Sequence, residues 1–292
     1  MIIQENIKKR ISDLYVLGKP NITIFVCITS MTSFYLASTN GVALDKMLYS
    51  TLAVFLVSFG SCVFNQIFEI QIDQNMHRTK MRPLPDQRVP IVHAWILGVS
   101  TTMLGLSCML FLVNMAAMIW LLIAFVGYVF LYTPLKVKTT FNTIVGAFVG
   151  ALPPVVGWAS ARSHVGFEAM ILFLIMFLWQ LPHFLSISWL YKEDYERANV
   201  KMLTSLDPRG VITPRQSFLY TIMLLPIVML PTVFSLSGYI YLTVAVALTS
   251  IFIFVVLDFW KHTDRKKAKL VLLSSIVYLP TIFIVMVIDK VG

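Results

Sequence analysis

Nine runs of mostly apolar residues, each long enough to cross a bilayer, divide this chain almost from end to end. A membrane helix needs roughly 17–25 such residues. The runs lie at about 22–40, 48–70, 91–113, 115–133, 141–160, 167–190, 216–235, 239–259 and 269–288. Hydrocarbon offers no water to satisfy backbone N–H and C=O groups, so such spans close their hydrogen bonds internally as helices. The expected fold is all-α: a polytopic membrane protein, a bundle of about nine transmembrane helices in one intramembrane domain covering residues 1–292. Only 13% of residues are charged, against roughly 25% in an average soluble domain. That is too few to coat a water-soluble particle of this size, so the lipid bilayer is the natural solvent.

The net charge of +9 would point to nucleic acid in a soluble protein. Here the cations sit in the loops between apolar runs, where they set orientation, and no nucleic-acid partner is expected. The N-terminal segment and the loops after the second, fourth, sixth and eighth runs hold 4, 4, 2, 5 and 5 Lys/Arg residues, 20 of the 23. The opposite side holds only Lys46, Arg162 and Lys290. By the positive-inside rule the N-terminus and these loops are cytoplasmic, and an odd number of spans puts the C-terminus outside. Cys27, Cys62 and Cys108 all fall inside apolar runs without metal spacing and read as small packing residues. Residues 1–21 are too polar for the apolar region of a signal peptide, so the first span is expected to stay as an uncleaved helix. Gly146, Gly150 and Gly157 in the fifth run predict close helix packing.

Against this apolar background, the end of the second run stands out: Asn65, Glu69 and Asp73 are spaced by four. Each step of four advances a helix by about 40°, so the three side chains share one face. Carboxylates at membrane depth are costly unless paired, hydrated or bound to a cation. Two carboxylates and a carboxamide are hard oxygen donors of the kind that suit Mg²⁺, an ion that usually shares itself with substrate phosphates. Arg78, Lys80 and Arg82 follow directly, and guanidinium groups bind phosphate oxygens bidentately. Spacing alone leaves two readings open. The segment is either a Mg²⁺–diphosphate site or a loop boundary whose cations pair with Glu69 and Asp73. Asn75 and His77 read as loop residues without a role.

A second cluster ends the sixth run on the same side. Gln180 and His183 lie within the apolar stretch, and Tyr191, Asp194, Tyr195 and Lys201 follow. An ionisable residue at membrane depth is a functional candidate, although a histidine beside Pro182 also suits the carbonyl that the proline frees. Asp194 is a candidate cation ligand. Tyr191 and Tyr195 fit either an interfacial aromatic belt or stabilisation of a carbocation by ring faces. Lys136 and Lys138 form a third basic patch on that side.

These segments resemble a known family. Asn65, Glu69 and the run D-x-x-M-x-R-T-x-x-R-P over 73–83, Y-T-x-L-K at 132–136, G-A-x-x-G-A-L-P-P-x-x-G-W at 146–158, W-Q-L-P-H-F at 179–184 and Y-K-E-D-Y-x-x-A at 191–198 occur in order. Lys19–Pro20 also fits. The chain is similar to the protohaem IX farnesyltransferases within the UbiA-type intramembrane prenyltransferases. The resemblance implies a nine-helix bundle around a central cavity that opens to lipid. It implies Mg²⁺ as cofactor, farnesyl diphosphate and haem b as substrates, haem O and diphosphate as products, and a haem A synthase or terminal oxidase assembly as recipient. Carried onto this sequence, Asn65, Glu69, Asp73 and Asp194 would hold the metal. Arg78, Lys80, Arg82, Lys136, Lys138 and Lys201 would bind diphosphate, and His183 would contact haem iron or propionate. Gln71, Leu185 and Asn199 depart from common family residues. The second acidic motif of the aromatic-acid branch is absent here, which sets the alternative of a quinone-precursor acceptor behind haem. A cation transporter would call for inverted repeats and a midplane site, and neither is apparent.

Overall fold

Local chemistry at the helix ends explains where the apolar runs start and stop. The computed structural model describes residues 11–39 and 41–291. A short helix α1 includes residues 11–17. It is followed by α2 (Pro20–Ala37), α3 (Leu44–Phe68), α4 (Ile70–Gln74), α5 (Ile91–Leu112), α6 (Met115–Val126), a π-helical turn (Gly127–Tyr132) and α7 (Thr133–Leu135). Then come α8 (Asn142–Gly150), α9 (Leu152–Arg162), α10 (Phe167–Leu190), α11 (Lys192–Arg197), α12 (Ile212–Val233), α13 (Tyr239–Lys261) and α14 (Arg265–Ile288). Among the described residues nine helical rods are long and apolar enough to span a membrane; α6–α7 and α8–α9 each form one rod. The protein is an integral membrane bundle.

Three helices start four residues earlier than the apolar pattern alone predicts, among them α14, where Asp264 caps the start by accepting the Lys267 N–H at 2.8 Å. In α3, Asp45 lies in the first turn, where a carboxylate meets the positive end of the helix dipole. In α12, the Asp207 carboxylate accepts the N–H groups of Val211 (2.8 Å) and Thr213 (2.7 Å), which extends the helix back to Ile212. Asn114 makes the expected tight turn between α5 and α6 and caps α6 by accepting the Ala117 N–H at 2.8 Å.

Burial separates inner rods from outer ones. In the α8–α9 rod 72% of the most apolar window is buried and in α10 67%, against 22% for α5 and for the α6–α7 rod. The outer helices display Ile96, Phe111 and Phe254 at 62%, 79% and 70% exposure. In water such faces would be adhesive, but in a bilayer they are the solvated surface. The inner contact between α2 and α9 depends on Gly157. A Cβ there would collide with the Ser30 carbonyl oxygen, a backbone atom that cannot step aside. Beside it, the Ser33 hydroxyl donates to the Pro154 carbonyl at 2.6 Å. Gly157→Ala is expected to destabilise the bundle by at least the ~1–3 kcal/mol of ordinary overpacking, read as a fall in Tm of the solubilised protein. An unchanged Tm would show that the two helices do not meet there.

Hydrogen bonds gather the cation-rich loops at one end of the bundle. The Lys201 N–H donates to the Lys136 carbonyl (2.7 Å), Asn142 donates to the Lys201 carbonyl (2.6 Å), and Gln66 donates to the Leu17 carbonyl (2.7 Å). At the other end Arg162 donates to the Ala37 carbonyl (2.6 Å) and Lys290 to the Tyr35 carbonyl (2.9 Å).

Candidate active site

The acidic face is built across a break in the backbone. The second span does not run unbroken past residue 68 as the apolar pattern predicts: α3 ends at Phe68, Glu69 sits between helices, and α4 carries Asp73. The four-residue ladder nevertheless survives, because Glu69 N–H donates to the Asn65 carbonyl (3.0 Å) and Asp73 N–H to the Glu69 carbonyl (2.8 Å). Asn65, Glu69 and Asp73 therefore still follow one another on one side, and all three are buried, at 0%, 5% and 2% exposure.

Each of the three is met by a cation. Lys19 Nζ donates to Asn65 Oδ1 at 2.5 Å. Lys136 Nζ pairs with Glu69 Oε1 at 2.5 Å. The Arg82 guanidinium reaches both Asp73 oxygens, at 2.9 and 2.8 Å. Burial lowers the Lys19 ammonium to about 8, with Arg82 and Lys136 adding repulsion. Burial also opposes ionisation of Glu69 and Lys136, but their mutual attraction prevails. The carboxyl is held below its usual range and the ammonium is raised above its own.

The supporting scaffold explains the sequence motifs. The π-helical turn at 127–132 delivers Thr133, which accepts from Asn65 Nδ2 (3.1 Å) and donates to the Tyr128 carbonyl (2.9 Å). Wide turns of this type recur at functional sites. Lys136 lies over the Tyr132 ring at 4.5 Å. In the loop after Asp73, the Thr79 hydroxyl donates to the Asp73 carbonyl (3.1 Å), and Met76 packs in a small apolar cluster with Ala198, Val200 and Met202. Lys19 holds a left-handed backbone, φ 46°, immediately before Pro20.

Asp194 is buried on α11, facing this loop. Its two oxygens accept the backbone N–H groups of His77 (3.3 Å) and Arg78 (3.2 Å), and Arg197 pairs with it. Burial disfavours its charge, yet Arg197 and the two N–H donors outweigh that and lower its pKa. The cation over the tyrosine rings is Arg78, 4.5 Å from Tyr191 and 5.7 Å from Tyr195, with a hydrogen bond to the Tyr195 hydroxyl at 3.3 Å. Lys80, Lys138 and Lys201 are exposed at this end. Among the described residues none of the three pairs with a carboxylate, and only the backbone of Lys201 touches Lys136. His183 does not use a carbonyl freed by Pro182. Its Nδ1 meets the Ser275 hydroxyl at 2.8 Å, and its ring stacks on Trp179, 5.1 Å between centroids. Gln180 Nε2 donates to the Met176 carbonyl at 3.2 Å.

Sequence reasoning passed over Lys19, Thr133 and Arg197. The first two stood inside quoted motifs, Lys19–Pro20 and Y-T-x-L-K; no signal marked Arg197. Among the described residues no three His, Cys, Asp or Glu side chains form a ready cage. One or two carboxylates, a carboxamide and nearby phosphate-binding cations suit Mg²⁺ shared with a diphosphate better than an all-protein cage does. The donor set fits the ion in that shared form.

The UbiA prenyltransferase family profile matches residues 26–277. The chain is 35% identical over 289 residues to a protoheme IX farnesyltransferase of Solibacter usitatus, covering 96% of this chain and 99% of that protein. It is likewise 35% identical over 283 residues to a protoheme IX farnesyltransferase of Aquifex aeolicus, covering 96% of each. Its fold is similar to that of a digeranylgeranylglyceryl phosphate synthase, with a TM-score of 0.80 at 18% identity over 96% of this chain and 98% of that one. It is also similar to a UbiA homologue of Archaeoglobus fulgidus solved with GPP and Mg²⁺, with a TM-score of 0.68 at 14% identity over 94% and 99%. Motif order, buried acidic face and nine-helix architecture therefore agree: the chain belongs to the UbiA prenyltransferase family.

Proposed function

We propose that this protein transfers the farnesyl group of farnesyl diphosphate to a vinyl group of haem b, with addition of water, to give haem O and diphosphate. The observation that carries the site is the buried Asn65–Glu69–Asp73 face, where every member is opposed by a cation that can turn to phosphate. The likeness to protoheme IX farnesyltransferases along nearly the whole chain supports haem b as acceptor.

Asn65, Glu69 and Asp73 are the residues that would hold Mg²⁺, with Asp194 across from them. When bound, the ion supplies charge neutralisation at the diphosphate. Lys19, Lys136 and Arg82 change partners from carboxylate and carboxamide to phosphate oxygens. Arg78, Lys80, Lys138 and Lys201 provide positive potential at the mouth. These cations stabilise the negative charge that develops as the farnesyl C–O bond breaks. The Tyr191 and Tyr195 rings fix Arg78 and present apolar faces toward the allylic cation. The terminal vinyl carbon of haem then bonds to the farnesyl carbon, water adds to the adjacent carbon, and one proton is released. Apolar walls keep water from the cation until that C–C bond has formed. His183, fixed by Ser275 and Trp179, is the proposed residue for haem contact within the bundle.

The cation distribution supports an N-terminus and active-site loops on the cytoplasmic face of the cytoplasmic (inner) membrane, with the C-terminus outside. A haem A synthase or terminal oxidase assembly is the proposed recipient of haem O.

Purified protein given haem b, farnesyl diphosphate and Mg²⁺ is expected to yield a haem of greater mass, carrying a farnesyl group and a hydroxyl. Chelation of the metal is expected to stop it. Prenylation of a quinone precursor with haem b left unchanged would overturn the assignment in favour of another acceptor.

A further inference from the structure

A second feature lies at the same end of the bundle and shares Arg78, Tyr191 and Asp194 with the site above, while Trp189, Lys192 and Arg265 have no part in the diphosphate chemistry. A cleft of about 630 Å³ opens between the α10–α11 corner and the start of α14, within the size range of small-molecule sites. Its lining includes Trp189, Tyr191 and Lys192 from the α10–α11 corner, Arg78 from the loop after α4, Asp194 from α11, and Arg265 from the start of α14. Its charge is uneven. The Asp194 carboxylate is already satisfied by two backbone N–H groups and Arg197. Glu193 is therefore the one lining carboxylate left to oppose Arg78, Lys192 and Arg265. Arg265 is exposed and makes no ion pair among the described residues. Lys192 reaches Glu196 only at 4.0 Å and lies 5.7 Å over the Trp189 ring. Trp189 is itself braced edge-on by Phe259, 6.2 Å between centroids.

Cations beside flat aromatic walls, at the water-facing end of a membrane bundle, suit an amphipathic planar dianion. Haem b has that form: two propionates leave one edge of the macrocycle, and vinyl groups occupy the opposite edge. The shared anion chemistry would also admit a diphosphate. Position favours the carboxylates, because the half-buried cations Lys19, Lys136 and Arg82 already serve the acidic face and do not line the cleft. The two sites share a wall: Arg78, Tyr191 and Asp194 line the cleft, and the Asp194 carboxylate accepts the Arg78 N–H in the loop that follows Asp73. A macrocycle held at the cleft by its propionates presents its vinyl edge toward that wall.

We infer that the cleft formed by Trp189, Tyr191, Lys192 and Arg265 is the propionate-anchoring part of the haem site, with Arg265 and Lys192 binding the two carboxylates. This rests on the reading of haem b as acceptor. Guanidinium–carboxylate pairing gives both energy and orientation, so the two cations would set which edge of haem faces the donor.

The test uses the full-length protein in nanodiscs, titrated with haem b and with haem b dimethyl ester by absorbance, together with the KM for farnesyl diphosphate. Wild type is expected to prefer the diacid at least ten-fold. Arg265→Gln with Lys192→Gln is expected to bind haem b at least ten-fold more weakly, to leave ester binding and the farnesyl diphosphate KM unchanged, and to recover in part with Arg265→Lys in place of Arg265→Gln. An acid–ester preference retained in the double variant overturns the proposal. A rise in the farnesyl diphosphate KM without loss of haem affinity also overturns it, assigning the cleft to diphosphate. Wild type that makes haem O while the variant keeps its haem affinity removes this inference alone. Wild type that neither binds nor modifies haem b removes the acceptor reading and this inference with it.

Discussion

Asp73→Asn is expected to lower kcat for haem O formation by about 10²–10³-fold, the scale of losing one preorganised electrostatic partner in a site sheltered from water. The substitution keeps the shape of the side chain and removes the charge that Arg82 grips with both Asp73 oxygens. Asp73→Ala is expected to abolish turnover and also to lower stability, because it strands the guanidinium. That stability loss should stay below the ~3–5 kcal/mol typical of breaking a fully buried pair, since the Arg82 side chain is 27% exposed. Haem O yield by mass detection and Tm of the solubilised protein separate the two effects. Normal turnover in Asp73→Asn would refute the assignment of this carboxylate to the reaction.

The second large effect concerns Glu69 and Lys136, whose side chains are 6% and 17% exposed. Removing either partner alone leaves a charge in a poorly solvated place, at a cost of about 3–5 kcal/mol. Lys136→Met and Glu69→Gln are each expected to lower Tm clearly. The double variant is expected to regain much of the loss, because a neutral pair has no stranded charge. Activity should not return with stability, since both residues are proposed to act on the metal–diphosphate group. A double variant as unstable as the two singles combined would show that the residues act independently. Recovered turnover would remove both from the chemistry.

Much of this molecule is readable along the chain because a bilayer imposes a one-dimensional rule. An apolar run must be long enough to span and must satisfy its own backbone, so Phe167–Leu190 and Tyr239–Lys261 are visible from composition alone. The four-residue spacing of Asn65, Glu69 and Asp73 is equally local, and it survives the break at Glu69 because the i to i−4 hydrogen bonds continue through it. The break itself is not visible, since nothing in F-E-I-Q distinguishes a helix end from a continuing helix. The π turn before Thr133 is hidden in the same way, in a run whose composition suits any helix.

Spacing left one question unresolved, whether the acidic face is a set of ion pairs or a metal–diphosphate site, and the tertiary structure shows why the choice was ill-posed. The ion pairs exist, and they involve the cations that a diphosphate would need. Lys136 pairs with Glu69 across 67 residues and Arg82 with Asp73 across nine, while Lys19 donates to the Asn65 carboxamide across 46 and the Arg78 backbone N–H donates to Asp194 across 116. Along the chain Lys19, Lys80 and Lys138 are indistinguishable as positive-inside residues. Only packing sets the first, half-buried, against the acidic face and leaves the other two in solvent. Three features are legible along the chain: the apolar spans, the end of the bundle that carries the candidate site, and the side of the helix that carries the acids. All of these follow from periodicity and local charge. The cations that meet Asn65 and Glu69, and the presence of a basic cleft beside them, depended on contacts between distant segments, which no local period encodes.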